Sequence, residues 1–275
     1  MGLWLRGPWT AAGTNGAGVL LLHGFSGDPR EMLPLGEGLA AAGFGVHIPV
    51  LPGHGGVPHD LADYGWRDWL AAARAAFQEL RNTQSRVIVG GFSMGGALAS
   101  LLAVESPPEA LLLLAMPTFL RPRWVMPLLP ALRHAMPWFR PLARADFSDP
   151  GVRGQIQQFD AEIDLDDPAV QAALRRQIRL PLSALNELAG LLRAARRRLH
   201  HIAAPALVMH GSADETAPLE SADELVRRLS GPVELVWWAN SGHLLFEGPE
   251  RAAIVARAVD FCQEHAGGGR LRDKG

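Results

Sequence analysis

Short, uninterrupted apolar runs alternate along this chain with longer stretches in which apolar residues recur every three to four positions. The run GVLLLHG (residues 18–24) stays apolar up to its closing His-Gly, the pattern of a strand buried on both faces of a sheet. The next segment predicts a helix. Asp28 is its cap, Pro29 lies in its first turn, Glu31 completes a capping box and Gly43 is the stop. GVHIPV (45–50) predicts a second strand. In WRDWLAAARAAFQEL (66–80), Trp66, Trp69, Leu70, Ala73, Phe77 and Leu80 fall on one helical face. RVIVGG (86–91) predicts a third strand, MGGALASLLAVES (94–106) a helix, and EALLLLAM (109–116) a fourth strand.

The alternation stops at about Pro117 and resumes after Ile202. The intervening segment is rich in Pro, Trp, Leu and Met, has helical stretches such as DPAVQAALRRQIRL and LNELAGLLRAARRRL, and contains no strand-like run. Beyond it come PALVMHG (205–211), the helix SADELVRRLS opening on Ser221 with Glu224 three residues later, PVELVWWA (232–239) and PERAAIVARAVDFCQEH (249–265). Strand–helix alternation predicts an α/β fold, a mostly parallel sheet flanked by helices on both faces. Residues 1–116 and 203–275 would form the core and residues 117–202 an all-helical cap or lid. No internal repeat interrupts this plan.

Composition narrows the function classes. With 275 residues, 48% of them hydrophobic, the chain can bury the core of one large α/β domain with an insert. A formal net charge of −2 gives no long-range attraction to nucleic acid, and Lys274 is the only lysine. The cluster Arg196-Arg197-Arg198 reads as a solvated helix face. Cys262, the only cysteine, excludes an internal disulfide; it falls on the stripe Ile254, Val255, Ala258, Val259, which predicts a core thiol. The opening MGLWLRGPWTAAG lacks the apolar run of a signal peptide, and no stretch nears the roughly 18 apolar residues of a membrane span. A cytoplasmic protein without stable membrane insertion is expected, with a flexible tail from Ala266. No His, Cys or carboxylate cluster has convincing ligand spacing, so neither a cofactor nor a metal is expected. No pattern fixes an oligomeric state.

Gly91-Phe92-Ser93-Met94-Gly95 matches G-x-S-x-G, with an apolar strand before it and a small-residue helix after it. A nucleophile at the tip of such a turn needs a strained backbone, and the flanking positions crowd one another, hence glycine at both. A serine hydroxyl is a poor nucleophile without a general base and an oriented partner. Asp214 in HGSADETAP and His243 in NSGHLLFEG follow later strands, so a parallel sheet brings all three to one edge. Glu215 and Asp223 are weaker candidates for the acid. HGFSG (23–27) also follows a strand, and the amides of Phe25 and Met94 are the expected pair of oxyanion donors. His23 and His54 read as structural or loop-bracing residues, and His200 and His201 suggest a metal only faintly. Phe25, Trp124, Met126 and Trp138 are the expected acyl-pocket residues, since ligand sites are mostly apolar.

Together, LLLHGFSGDPREM, PGHGG (52–56), GGFSMGG, HGSADETAP and SGH resemble, in order, the motifs of the α/β-hydrolase superfamily, in particular its bacterial carboxylesterase and monoacylglycerol-lipase-like group. The resemblance spans nearly the whole chain and weakens over 117–202, the position of the family's lid. It implies a Ser93–His243–Asp214 triad acting on a small-molecule acyl ester. The short N-terminal region leaves little room for the antiparallel edge strands that many members carry. Thioesterase, acyltransferase, perhydrolase and C–C bond hydrolase chemistry would use the same groups, whereas haloalkane dehalogenases and epoxide hydrolases would need an aspartate at Ser93. A non-catalytic binding protein on the same scaffold is the reading from another class.

Overall fold

The computed structural model describes residues 7–55, 58–124, 126–157 and 163–266. Gly56 of the 52–56 motif, the first six residues of the N-terminal run and the tail after Ala266 lie outside them. No helix among the described residues is long and apolar enough to cross a membrane.

In chain order the elements begin with β1 (Trp9–Ala11), β2 (Ala17–Leu22), α1 (Leu33–Ala41), β3 (Gly45–Ile48), α2 (Trp66–Thr83), β4 (Arg86–Phe92), α3 (Met94–Glu105) and β5 (Leu111–Leu114). The middle segment holds α4 (Leu129–Ala135), β6 (Trp138–Phe139), α5 (Pro150–Gln157), α6 (Pro168–Gln177), β7 (Leu180–Pro181) and α7 (Leu182–Arg198). The chain closes with β8 (Ala206–Gly211), α8 (Glu220–Arg228), β9 (Val233–Trp238) and α9 (Arg251–Ala266).

One sheet runs in the order β1-β3-β2-β4-β5-β8-β9. Every neighbouring pair is parallel except β1 with β3, so one antiparallel edge strand fits into the short N-terminal region after all. The apolar runs of β2, β5 and β8 are buried at every residue because helices cover both faces. One face packs against α2, α3, α7 and α8, with Trp69, Phe77, Leu98, Leu191 and Leu225 in a common core. The other packs against α1 and α9, around Leu35, Leu39, Ile254 and Phe261. Cys262 lies in this second core, where burial pushes its thiol well up.

Among the described residues of the middle segment the regular elements are helices, apart from a two-residue ribbon in which Trp138 pairs with Pro181 and Phe139 with Leu180. Sequence periodicity misses it because two residues define no period. α7 has a dual character. Its Leu188, Leu191, Leu192 and Ala195 join the main core beside α3, while Leu182 and Ala189 join a small cluster with Leu129.

The expected capping box at Asp28 and the expected helix start at Ser221 are corrected by the contacts these residues make. Asp28 does cap, accepting the Arg30 N–H at 2.8 Å, but the turn is a 3-10 helix (Pro29–Met32) that leads into α1. Glu31 reaches past Asp28 to accept the Gly24 N–H at 2.8 Å. Gly43 stops α1 as expected, at φ +89°. α8 starts one residue before Ser221, which is fully buried and accepts the Thr118 N–H at 3.1 Å. Glu224 accepts the Thr118 hydroxyl at 2.7 Å and pairs with Arg196 of α7 and Arg228 of α8, each at 2.7 Å. The arginine run therefore divides: Arg196 is paired, while Arg197 and Arg198 are exposed.

Two outcomes follow from these departures. Glu224→Ala removes the charge-assisted bonds to Thr118, Arg196 and Arg228 and leaves the buried Thr118 hydroxyl only its 3.3 Å bond to Ser221 Oγ, so urea unfolding should show a loss of about 2 kcal/mol. Glu31 gives a pH signature. Burial, reinforced by Asp28 and Glu247 against the Gly24 hydrogen bond and Arg30, raises its carboxyl from 4.5 to about 8. The folded state thus keeps a proton that the unfolded chain releases, so this residue's contribution to stability falls as pH rises from 4.5 to about 8. The Tm of the wild type relative to Glu31→Gln should decline across that window; a pH-independent difference would contradict it.

Candidate active site

β4 ends at Phe92 and α3 begins at Met94, so the chain must turn at Ser93 alone. Ser93 adopts φ +52° and ψ −116°, a conformation costly for any residue with a Cβ. Backbone bonds hold it there: its N–H donates to the Leu114 carbonyl at 2.8 Å, and its carbonyl accepts the Gly96 N–H at 3.0 Å. A Cβ on Gly91 would stand 2.1 Å from the Gly95 carbonyl oxygen, and one on Gly95 would stand 2.0 Å from that of Leu22. The two glycines are the condition for packing the elbow onto itself and onto β2.

Ser93 Oγ lies 3.1 Å from His243 Nε2, and His243 Nδ1 lies 2.8 Å from Asp214 Oδ2. With the Nδ1 proton facing a carboxylate, Nε2 presents its lone pair to the serine hydroxyl. Asp214 is buried, and its other oxygen accepts the N–H groups of Thr216 and Ala217, each at 2.8 Å. Burial by itself would raise its pKa. Hydrogen bonds from His210 and His243, the charge of His243 and the Ala217 amide outweigh that and hold the carboxyl well below the usual carboxylate range. Glu215 and Asp223, the competing acids, are both exposed.

The two loops that carry the acid and the histidine are fastened together. The Ala213 N–H donates to the Ser241 carbonyl at 3.1 Å, and a Cβ on Gly211 would stand 2.3 Å from the same oxygen. Ser241 Oγ donates to Glu250 at 2.7 Å, tying the loop to the start of α9. The Phe92 ring, 5.0 Å from the His243 ring between centroids, supports the imidazole from the elbow side.

Phe25 is half-buried, its ring centroid 6.1 Å from that of Trp69 and 6.3 Å from that of His54. Met94 is fully buried and is the first residue of α3. His23 has Nδ1 3.0 Å from the Gly24 carbonyl, to which it donates, and Nε2 accepts the Leu51 N–H at 3.2 Å; burial lowers its pKa to about 4. His54 braces its own turn through the Pro52 carbonyl at 3.0 Å, and burial, together with His23, lowers it to about 3. Both rings are therefore neutral structural parts near neutral pH. No group of three or more His, Cys, Asp or Glu among the described residues could hold a metal ion.

The expected pocket residues of the middle segment are dispersed. Trp124 is 73% exposed and so presents a surface, not an enclosed wall. Met126 packs with Leu129, Leu182 and Ala189, and Trp138 lies under the Arg179 guanidinium, 4.3 Å from its ring centroid. His210, which no motif singles out, has its Nε2 3.2 Å from Asp214 Oδ2. Its only sequence signal is a polar residue inside an otherwise apolar strand. Glu250, which accepts the Asn240 N–H and the Ser241 hydroxyl, carries no sequence signal, and the local pattern assigns Glu31 to a cap and not to Gly24.

The model of the alpha/beta hydrolase family matches residues 19–258. The thermostable monoacylglycerol lipase of Bacillus sp. (strain H-257) is 29% identical, covering 91% of this chain and 92% of its own. The carboxylesterase of Bacillus subtilis (strain 168) is 24% identical over 94% of this chain and 96% of its own. Among solved structures, a metagenome-derived lipolytic enzyme superposes with a TM-score of 0.78 at 25% identity, covering 94% of this chain and 98% of that one. Elbow, sheet order and sequence similarity agree: the chain belongs to the α/β hydrolase family, as a hydrolase of its esterase- and lipase-like group.

Proposed function

We propose that the chain is a serine-dependent carboxylic ester hydrolase acting on short-to-medium-chain acyl esters or monoacylglycerols through an acyl-enzyme intermediate. The observation that carries this reading is the hydrogen-bonded line Ser93–His243–Asp214, with the serine on a strained turn. Ser93 Oγ attacks the acyl carbonyl carbon while His243 Nε2 takes its proton. The charged imidazole then faces the Asp214 carboxylate, which already points at Nδ1 and so needs no reorganisation. The amides of Met94 and Phe25 receive the oxyanion. The Met94 N–H, first in α3, has no acceptor within its own helix and lies at the positive end of the helix dipole. Collapse of the tetrahedral adduct breaks the ester C–O bond as His243 protonates the leaving alcohol. A water molecule, deprotonated by the same nitrogen, then releases the acid and restores the Ser93 hydroxyl.

The acyl preference rests on the apolar middle segment, placed by this proposal as a cap over Ser93 with Phe25, Met126 and Trp138 toward the acyl chain. It is supported by the relatives' names, one of them a monoacylglycerol lipase.

A fluorophosphonate probe should label the wild-type chain, and Ser93→Ala should abolish labelling and lower kcat at least about 1,000-fold. An unlabelled, folded wild type would sink the proposal in favour of a binding module. Among p-nitrophenyl esters, kcat/KM should peak beyond acetate; a strict acetate preference excludes the apolar acyl pocket.

A further inference from the structure

Glu31 holds the turn that carries Phe25 from inside. Its Oε2 accepts the Gly24 N–H at 2.8 Å. A Cβ on Gly27 would fall 2.2 Å from its Oε1, so the backbone at both ends of residues 24–27 lies against one carboxyl group. Between those ends the chain is strained. Ser26 has φ +59°, a left-handed conformation that is unfavourable for a serine and persists only where neighbouring contacts impose it. The Gly27 N–H also closes back onto the Gly24 carbonyl at 3.3 Å. Glu31 itself is well anchored. It sits in the 3-10 turn capped by Asp28, and the next residue, Met32, is fully buried. The charged groups facing its carboxyl are Asp28 and Arg30 on its own turn and Glu247 on the loop after His243.

We infer that Glu31 is a positioning residue of the oxyanion hole: by gripping Gly24 and Gly27 it fixes the direction of the Phe25 amide between them. The inference rests on the ester-hydrolase reading above and adds to it a side chain that touches no reacting atom. Removing the grip frees the turn to relax its strained Ser26, which swings the amide away from the place where negative charge develops. The substrate carbonyl is still bound, so the loss belongs to the transition state and appears in kcat.

The test uses the full chain with p-nitrophenyl butyrate at neutral pH and compares Glu31→Ala, Glu31→Gln and Gly27→Ala with the wild type. Glu31→Ala should lower kcat roughly 10- to 100-fold with KM changed less than about 3-fold. Glu31→Gln keeps an acceptor oxygen and should return kcat to within about 3-fold of wild type, as expected of a group that acts through its acceptor oxygen and not through a charge. Gly27→Ala expels the carboxyl from the turn and should match Glu31→Ala, while adding little on top of it in the double variant. A folded Glu31→Ala chain with unchanged kcat overturns the inference, as does Glu31→Gln as impaired as Glu31→Ala. If Glu31→Ala does not fold, Gly27→Ala decides alone: lowered kcat at constant KM supports the grip, and unchanged kcat overturns it. Absence of hydrolysis and labelling in the wild type defeats the ester-hydrolase reading itself, a result distinct from any of these.

Discussion

Everything at the candidate site depends on one close backbone approach. The elbow at Ser93 packs so tightly onto Leu22 and onto its own helix start that neither Gly91 nor Gly95 has room for a Cβ. That packing imposes the positive φ of Ser93 and leaves its hydroxyl at the tip of the turn. Two backbone hydrogen bonds, one to the end of β5, keep the strain from relaxing. A local distortion is thereby held by the sheet itself, the most cooperative part of the molecule.

The same sheet supplies the other parts at no further conformational cost. Parallel strands end at one edge, so the loops after β2, β4, β8 and β9 converge there. Convergence alone would give neighbours, not geometry. The geometry comes from contacts between loops: Ala213 to Ser241, Gly211 beneath Ser241, Ser241 to Glu250, and Glu31 within the 24–27 turn. The contacts of Ala213 and Gly211 with Ser241 join loops about 30 residues apart, so the acid and histidine loops fix each other, while Glu31 and Glu250 each brace a turn a few residues upstream.

Electrostatics follows the same division. Asp214 is buried yet ionised because His210, His243 and two backbone amides surround it with donors. Glu31 is turned inward with one backbone donor and with two carboxylates near it, so it holds a proton to about pH 8. His23 and His54, packed against one another with ring centroids 5.0 Å apart, stay neutral. Asp214, His23 and His54 are buried and Glu31 is half-buried. What differs is the number and sign of their partners.

The amino-acid sequence by itself determined the alternation of strand and helix, the elbow, and the order Ser93, Asp214, His243, because strand burial and the steric demands of the turn act on adjacent residues. Apolar runs announce buried strands, and glycines around a serine announce a turn with no room for side chains. Tertiary structure alone decided what Glu31, Ser221 and Glu224 do. Glu31 reads locally as half of a capping box and Ser221 as a helix start, yet Glu31 turns to Gly24 in the preceding loop, and Ser221 and Glu224 both meet Thr118, more than 100 residues away. It also decided the edge strand β1, the ribbon of Trp138 and Phe139, the double allegiance of α7, and the outward exposure of Trp124. The physical reason is the range of the forces. Periodicity and sterics are written between neighbours along the chain, whereas a buried polar group takes whichever partner the fold brings within hydrogen-bonding distance.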